Sequence, residues 1–230
     1  ARLTGRLASG SEDVDPDGLG ERPEGAQHLV GGPHVEVEHH VTHVTAGGDL
    51  TDVQVTCDFE PVMAVLNRYD VLNQARMDHE LIVRPNVAFS SALPYVDFRL
   101  YPTTITDSTL VRVEHEWAAP DNSDLGWGVY GVSDAHYWTV DGVWPDTTEF
   151  HARVYYHASS AGDLDLGLYG TTEANAMLVF RAKGTDPWEP YPDQTLVANS
   201  LTDGQGYINI DVLRKGQYAF ANGNAVAAVP

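Results

Sequence analysis

The chain has 230 residues and a mass of 25.1 kDa, enough for one or two ordinary domains. Its 43% hydrophobic and 10% aromatic content excludes wholesale disorder and allows a packed core. With 33 Asp and Glu against 13 Lys and Arg the net charge is −20, which repels phosphate and excludes nucleic acid and anionic membrane surfaces as partners.

Residues 1–33 are rich in Gly, Pro and acidic residues and read as a tail or linker. The start, Ala1-Arg2-Leu3, has no initiator Met and reads as a processed end or a piece of a longer protein. Within this stretch, Asp13 to Glu24 fits the calcium-loop pattern D-x-D-x-D-G-x5-E residue for residue. Asp13, Asp15, Asp17, Glu21 and Glu24 would offer carboxylates, Leu19 its carbonyl, and Gly18 the sharp turn. The flanks are not helix formers, and Gly20 and Pro23 depart from the paired-loop form. A helix-free Ca2+ loop and a solvated acidic linker are the two readings.

A small β module is expected over 34–93. In its first strand His34, Glu36, Glu38 and His40 share one face, with His39 and His43 on the other. Two imidazoles and two carboxylates could hold Zn2+, but i and i+2 positions on a flat strand stand about 6.5–7 Å apart. A polar strand face is the simpler reading, and Zn2+ is not expected. Cys57, the single cysteine, permits no internal disulfide and reads as a small buried hydrophobe. Val62, Val65, Leu66, Tyr69 and Leu72 fall at helical spacing and predict a short helix near 61–76.

An antiparallel β-sandwich, immunoglobulin-like or jelly-roll-like, is expected over 94–222, with a mobile end at 223–230. Strands are predicted at 95–101, 110–117, 136–140, 149–157, 176–182, 194–198, 206–212 and 217–221, besides 53–59 and 79–83 before them. Turn signals such as Asp141-Gly142 and Lys215-Gly216 separate them. In 110–117, Val111, Val113, His115 and Trp117 share one face, and Leu110, Arg112, Glu114 and Glu116 the other. The class is all-β.

Complete catalytic motifs are lacking. His79-Glu80 and His115-Glu116 begin H-E-x-x-H, but Val83 and Ala119 stand where the second His belongs. Aromatic residues crowd 117–144. Trp117 and Trp138 read as core, while Trp127, Tyr130 and Trp144 beside Asp121 and Asp124 could form a glycan platform.

Three strings carry a resemblance: Val111-Arg112-Val113-Glu114-His115-Glu116-Trp117 with Pro120-Asp121, then Tyr137-Trp138-Thr139-Val140-Asp141-Gly142, then Phe150 to Tyr156. Their order resembles the region after the catalytic domain in large secreted bacterial metallopeptidases similar to membrane alanyl aminopeptidases. The resemblance implies a non-catalytic accessory sandwich, because the family's zinc motif belongs to a preceding domain.

The expected protein is therefore an extracellular or cell-surface bacterial module, structural or binding in role. Its acidity suits molar salt, where the Debye length falls to about 3 Å, or a calcium-rich exterior. A protein partner, a preceding domain or a second copy would dock on it. A carbohydrate-binding module is the alternative, and a metal-dependent hydrolase using His34–His43 the third reading.

Overall fold

A computed structural model describes residues 2–7, 51–56, 59, 75–121, 124–170 and 172–224. The candidate calcium loop, the His34–His43 cluster, Cys57, residues 61–74 of the expected helix and residues 225–230 lie outside the described residues, while Arg76, at the end of that expected helix, begins a strand. The chain divides into two compact units, 1–66 and 67–230. In the first, β1 (Arg2–Leu7) pairs antiparallel with β2 (Thr51–Thr56), Arg2 opposite Thr56. The expected tail thus opens with a strand, which Gly5 interrupts as a sequence pattern.

The second unit is a two-sheet β assembly. Its elements are β3 (Arg76–Val83), β4 (Ala92–Leu93), β5 (Phe98–Thr104), β6 (Thr109–Glu116), β7 (Val129–Val132), β8 (Tyr137–Val143) and β9 (Glu149–His157). A single helical turn, α1 (Leu166–Tyr169), precedes β10 (Ala176–Arg181), β11 (Glu189–Pro190), β12 (Gln194–Ala198), β13 (Gln205–Ile210) and β14 (Gly216–Gly223). One sheet runs β11-β10-β14-β8-β6-β3, with β7 continuing along β14, and the other runs β12-β13-β9-β5-β4. All of the paired strands are antiparallel, so the all-β expectation holds. The boundary moves, however: β3 pairs β6 over its whole length, and β4 pairs β5, so residues 76–93 belong to the sandwich.

Period-two alternation builds the core. Along β9, Phe150, Ala152, Val154 and Tyr156 are buried while His151, Arg153 and Tyr155 point the other way. Phe98, Leu100, Trp138, Val140, Ile208, Ile210, Tyr218 and Phe220 join them between the sheets. The Asp141-Gly142 turn signal does not end β8. Gly142 sits inside the strand at φ 147°, because the Leu110 carbonyl comes so close that a Cβ would collide with it.

The opposite face of β6 holds an ion cluster. Arg112, 1% exposed, donates from Nε to Glu114 Oε1 at 2.8 Å and from Nη1 to Glu80 Oε1 at 2.8 Å, and its Nη2 pairs with Asp78. Arg76 also reaches Glu114 at 3.5 Å. Arg112→Met leaves three carboxylates facing a neutral side chain and is expected to cost about 3 kcal/mol of unfolding free energy. A urea titration that shows no loss would contradict this.

Candidate functional site

The solvent face of the five-stranded sheet is tiled with rings and guanidinium groups. Register sets the tiling. Arg99 on β5 stands directly opposite Arg153 on β9, which stands opposite Asn209 on β13. Tyr101 faces His151 on one side of this row, and Tyr155 faces Tyr207 on the other. The Arg153 guanidinium lies 4.0 Å from the Tyr207 ring centre and 5.6 Å from that of Tyr101. Its Nε donates to Asn209 Oδ1 at 3.1 Å, and Nη1 to Tyr155 Oη at 3.4 Å. Arg99 lies 5.1 Å from the Tyr155 ring, and the Tyr101 and His151 rings stack 4.9 Å apart, within 6° of parallel. The result is a face of flat groups held in fixed orientations by one another.

At the end of this face a cavity of about 200 Å3 is lined by Asp97, His136, Tyr155, His157, Asp163 and Leu164. Below it runs a buried hydrogen-bond chain. The Trp117 indole Nε1 donates to His115 Nδ1 at 3.1 Å, His115 Nε2 meets His136 Nδ1 at 2.7 Å, and His136 Nε2 meets Asp165 Oδ1 at 2.9 Å. Asp165 Oδ2 also accepts the His157 backbone N–H. An indole can only donate, so with both rings neutral each imidazole carries its proton on Nε2 and accepts on Nδ1. Burial first, and His136 second, push His115 down to about 3, in keeping with a neutral ring. The chain has the order of a relay, but its outer end is a donor-only indole. It offers no proton acceptor to a nucleophile there.

The turn over this cavity is strained. Tyr95 and Asp97 lie at φ 69° and 49°, in the left-handed region that non-glycine residues avoid. Both are exposed, and between them buried Val96 accepts the Trp138 indole N–H at 2.7 Å.

The residues expected to bind a glycan do not gather into one platform. Trp127 and Tyr130 are strongly exposed on the 124–132 segment. Trp144 instead packs edge-on to Phe150 with Lys215 Nζ 4.6 Å from its ring centre. Asp121 and Asp124 give their backbone carbonyls to Trp188, from its indole Nε1 and backbone N–H respectively. Trp138 is core, as expected, but Trp117 is half exposed because only its indole nitrogen turns inward. His79 lies on β3 and His115 is committed to the buried chain. Among the described residues, no group of three His, Cys, Asp or Glu is arranged to hold a metal ion. No helix among them is long and apolar enough to cross a membrane.

Sequence reasoning missed Arg99, Tyr101, Arg153, Tyr155 and Tyr207. A signal was present in β9, where His151, Arg153 and Tyr155 alternate with four apolar residues. No protein-family model matches the chain, and no curated protein or solved structure matches it either. The metallopeptidase resemblance rests on the quoted strings alone.

Proposed function

We propose that the sandwich is a non-catalytic binding module that takes a carbohydrate on the open face of its five-stranded sheet. The observation that carries this reading is the pair of aromatic rows, Tyr101–His151 and Tyr155–Tyr207, flanking Arg153 and Asn209. Sugar rings are recognised by flat apolar surfaces with a few oriented donors and acceptors beside them. Here the rings are held in place by cation–π and stacking contacts, so little side-chain freedom is lost when a ligand arrives. The donor-only end of the Trp117–His115–His136–Asp165 chain supports a non-catalytic role. On this reading the chain supports the cavity rim instead of activating a nucleophile.

Tyr207→Ala is expected to weaken glycan binding by about 30-fold, roughly 2 kcal/mol, as for a central stacking residue. Trp127→Ala is expected to leave affinity unchanged. Glycan-array screening followed by calorimetric titration of both variants makes the comparison. Affinity lost in Trp127→Ala and kept in Tyr207→Ala would move the site to the 124–132 segment and sink the assignment.

The wider setting is a proposal carried by sequence. An extracellular or cell-surface location, accessory attachment to a metallopeptidase-like protein, and salt adaptation are proposed from composition and the quoted strings. Calcium at Asp13–Glu24 and docking of a protein partner or a second copy are proposed on the same sequence grounds.

A further inference from the structure

We infer that the ligand of the open face is an acidic glycan, one whose sugar rings carry carboxylate groups. This rests on the carbohydrate reading above and adds the charge of the ligand. Only 13 of 230 residues are Lys or Arg, against 33 Asp and Glu. Two of those scarce cations, Arg99 and Arg153, nevertheless stand directly opposite each other on neighbouring strands. Like charges in directly opposite positions destabilise a sheet. With so many acidic residues in the chain, a carboxylate partner for either arginine would be easy to place, yet among the described residues neither forms an ion pair. Their contacts are to rings and an amide: Arg153 to Tyr207, Tyr155 and Asn209, and Arg99 to Tyr155. Within β5, β9 and β13 the one acidic residue is Glu149, at the start of β9, while Asp97 and Asp211 lie just beyond the ends of β5 and β13.

An arginine pair of which Arg99 is exposed and Arg153 half-buried, without a carboxylate, is built to receive an anion from outside. The guanidinium fork matches a carboxylate in two parallel hydrogen bonds. The rings on either side match the faces of the sugars that bear it. The surrounding −20 charge then works as a filter. It opposes long polyanions of any chemistry, so the attraction is local to the arginine pair and suits a short acidic oligosaccharide.

The test uses the full chain and two probes: a uronic-acid tetrasaccharide and the same tetrasaccharide with its carboxylates reduced to alcohols. In about 0.1 M salt, where the Debye length is about 10 Å, the acidic probe is expected to bind about tenfold or more tightly than the reduced one. The gap is expected to narrow in about 1 M salt. Arg153→Met and Arg99→Met are each expected to close most of the gap, weakening the acidic probe by a larger factor than the reduced one. Arg153→Lys is expected to restore part of it, because it keeps the charge and loses the fork. Thermal melts of each variant confirm that the fold is kept. Equal binding of the two probes by wild type overturns the acidic-ligand inference and leaves the carbohydrate reading standing. Failure of both probes, with an array silent to every glycan, overturns the two together.

Discussion

Truncating Trp138 to alanine is expected to lower the free energy of unfolding by about 3–5 kcal/mol, the range for a large buried aromatic residue. Trp138 is fully buried and meets three rings. It stacks on His115 at 4.8 Å and 15°, and stands edge-on to Phe220 at 5.1 Å and to His136 at 4.9 Å. Removing it opens a void beside the two imidazoles and also withdraws the donor to the Val96 carbonyl. Trp138→Phe shifts the balance between the two effects, since it keeps one aromatic ring in the core while losing the indole N–H. An unpaired buried carbonyl costs about 1–3 kcal/mol. That carbonyl lies between Tyr95 and Asp97, both at positive φ, so the Phe variant is also expected to loosen the turn. Hydrogen exchange of the 94–97 amides, faster in Trp138→Phe than in wild type, checks the link. Equal stability of wild type and Trp138→Ala in urea would contradict the packing of the core.

Acid is expected to destabilise the protein through His115, and Glu116 is expected to mask part of the effect. The His115 ring takes its proton near pH 6.5 in the unfolded chain but only near pH 3 when folded. Between those limits the unfolded state binds the extra proton. Stability is therefore intact above pH 6.5 and falls on acidification by about 1.4 kcal/mol per pH unit. Glu116 works the other way. Burial first, and the neighbouring Glu114 charge next, raise its carboxyl from 4.5 to about 7. The folded state thus holds a proton that the unfolded chain releases, and its contribution declines as pH rises through that window. Solvent reaches part of this carboxyl and screens it, so its slope is the smaller of the two. Wild type is expected to lose stability gently from pH 6.5 to 4.5 and steeply below. Glu116→Gln is expected to steepen the upper part toward the full His115 slope. The difference between the two denaturation series cancels the groups they share. Identical pH profiles for both proteins would contradict the assignment.

Individual strands were legible where alternation was strict. β9 reads as a strand from Glu149 to His157 because apolar and polar side chains alternate without a break, and β12 at Gln194–Ala198 is bounded as expected. Of the strands that escaped, β4, β7 and β11 are two to four residues long, too short to show a period, and the six-residue β1 was read as part of a tail because Gly5 and two arginines break its alternation. Gly142 misled because a glycine next to Asp signals a turn, whereas here it makes room for the Leu110 carbonyl across the sheet. The start of the sandwich was misplaced because residues 76–83 read equally well as a strand of either module. Only pairing with β6 decides that.

The site was harder to read because it is made by register. Arg99, Arg153 and Tyr207 are separated by more than fifty residues at each step, and no local pattern tells which positions of β5, β9 and β13 stand opposite one another. The crowded aromatics of 117–144 drew attention by their spacing. Two of them, Trp138 and Trp144, are held by packing, and Trp117 closes the buried imidazole chain. Arg112 shows the same lesson on the other sheet. Its alternation placed it correctly on the face away from Val111 and Val113, but its burial among Asp78, Glu80 and Glu114 comes from β3.

The most direct test of the account is a nuclear magnetic resonance titration of the full chain with the uronic-acid tetrasaccharide. The expected result is perturbation of the Tyr101, His151, Tyr155 and Tyr207 ring signals together with the Arg99 and Arg153 side-chain N–H groups. The Trp127 and Tyr130 signals should stay in place. Perturbation confined to Trp127 and Tyr130, or spread evenly over the surface, would contradict the claim that the open face of the five-stranded sheet is the binding site.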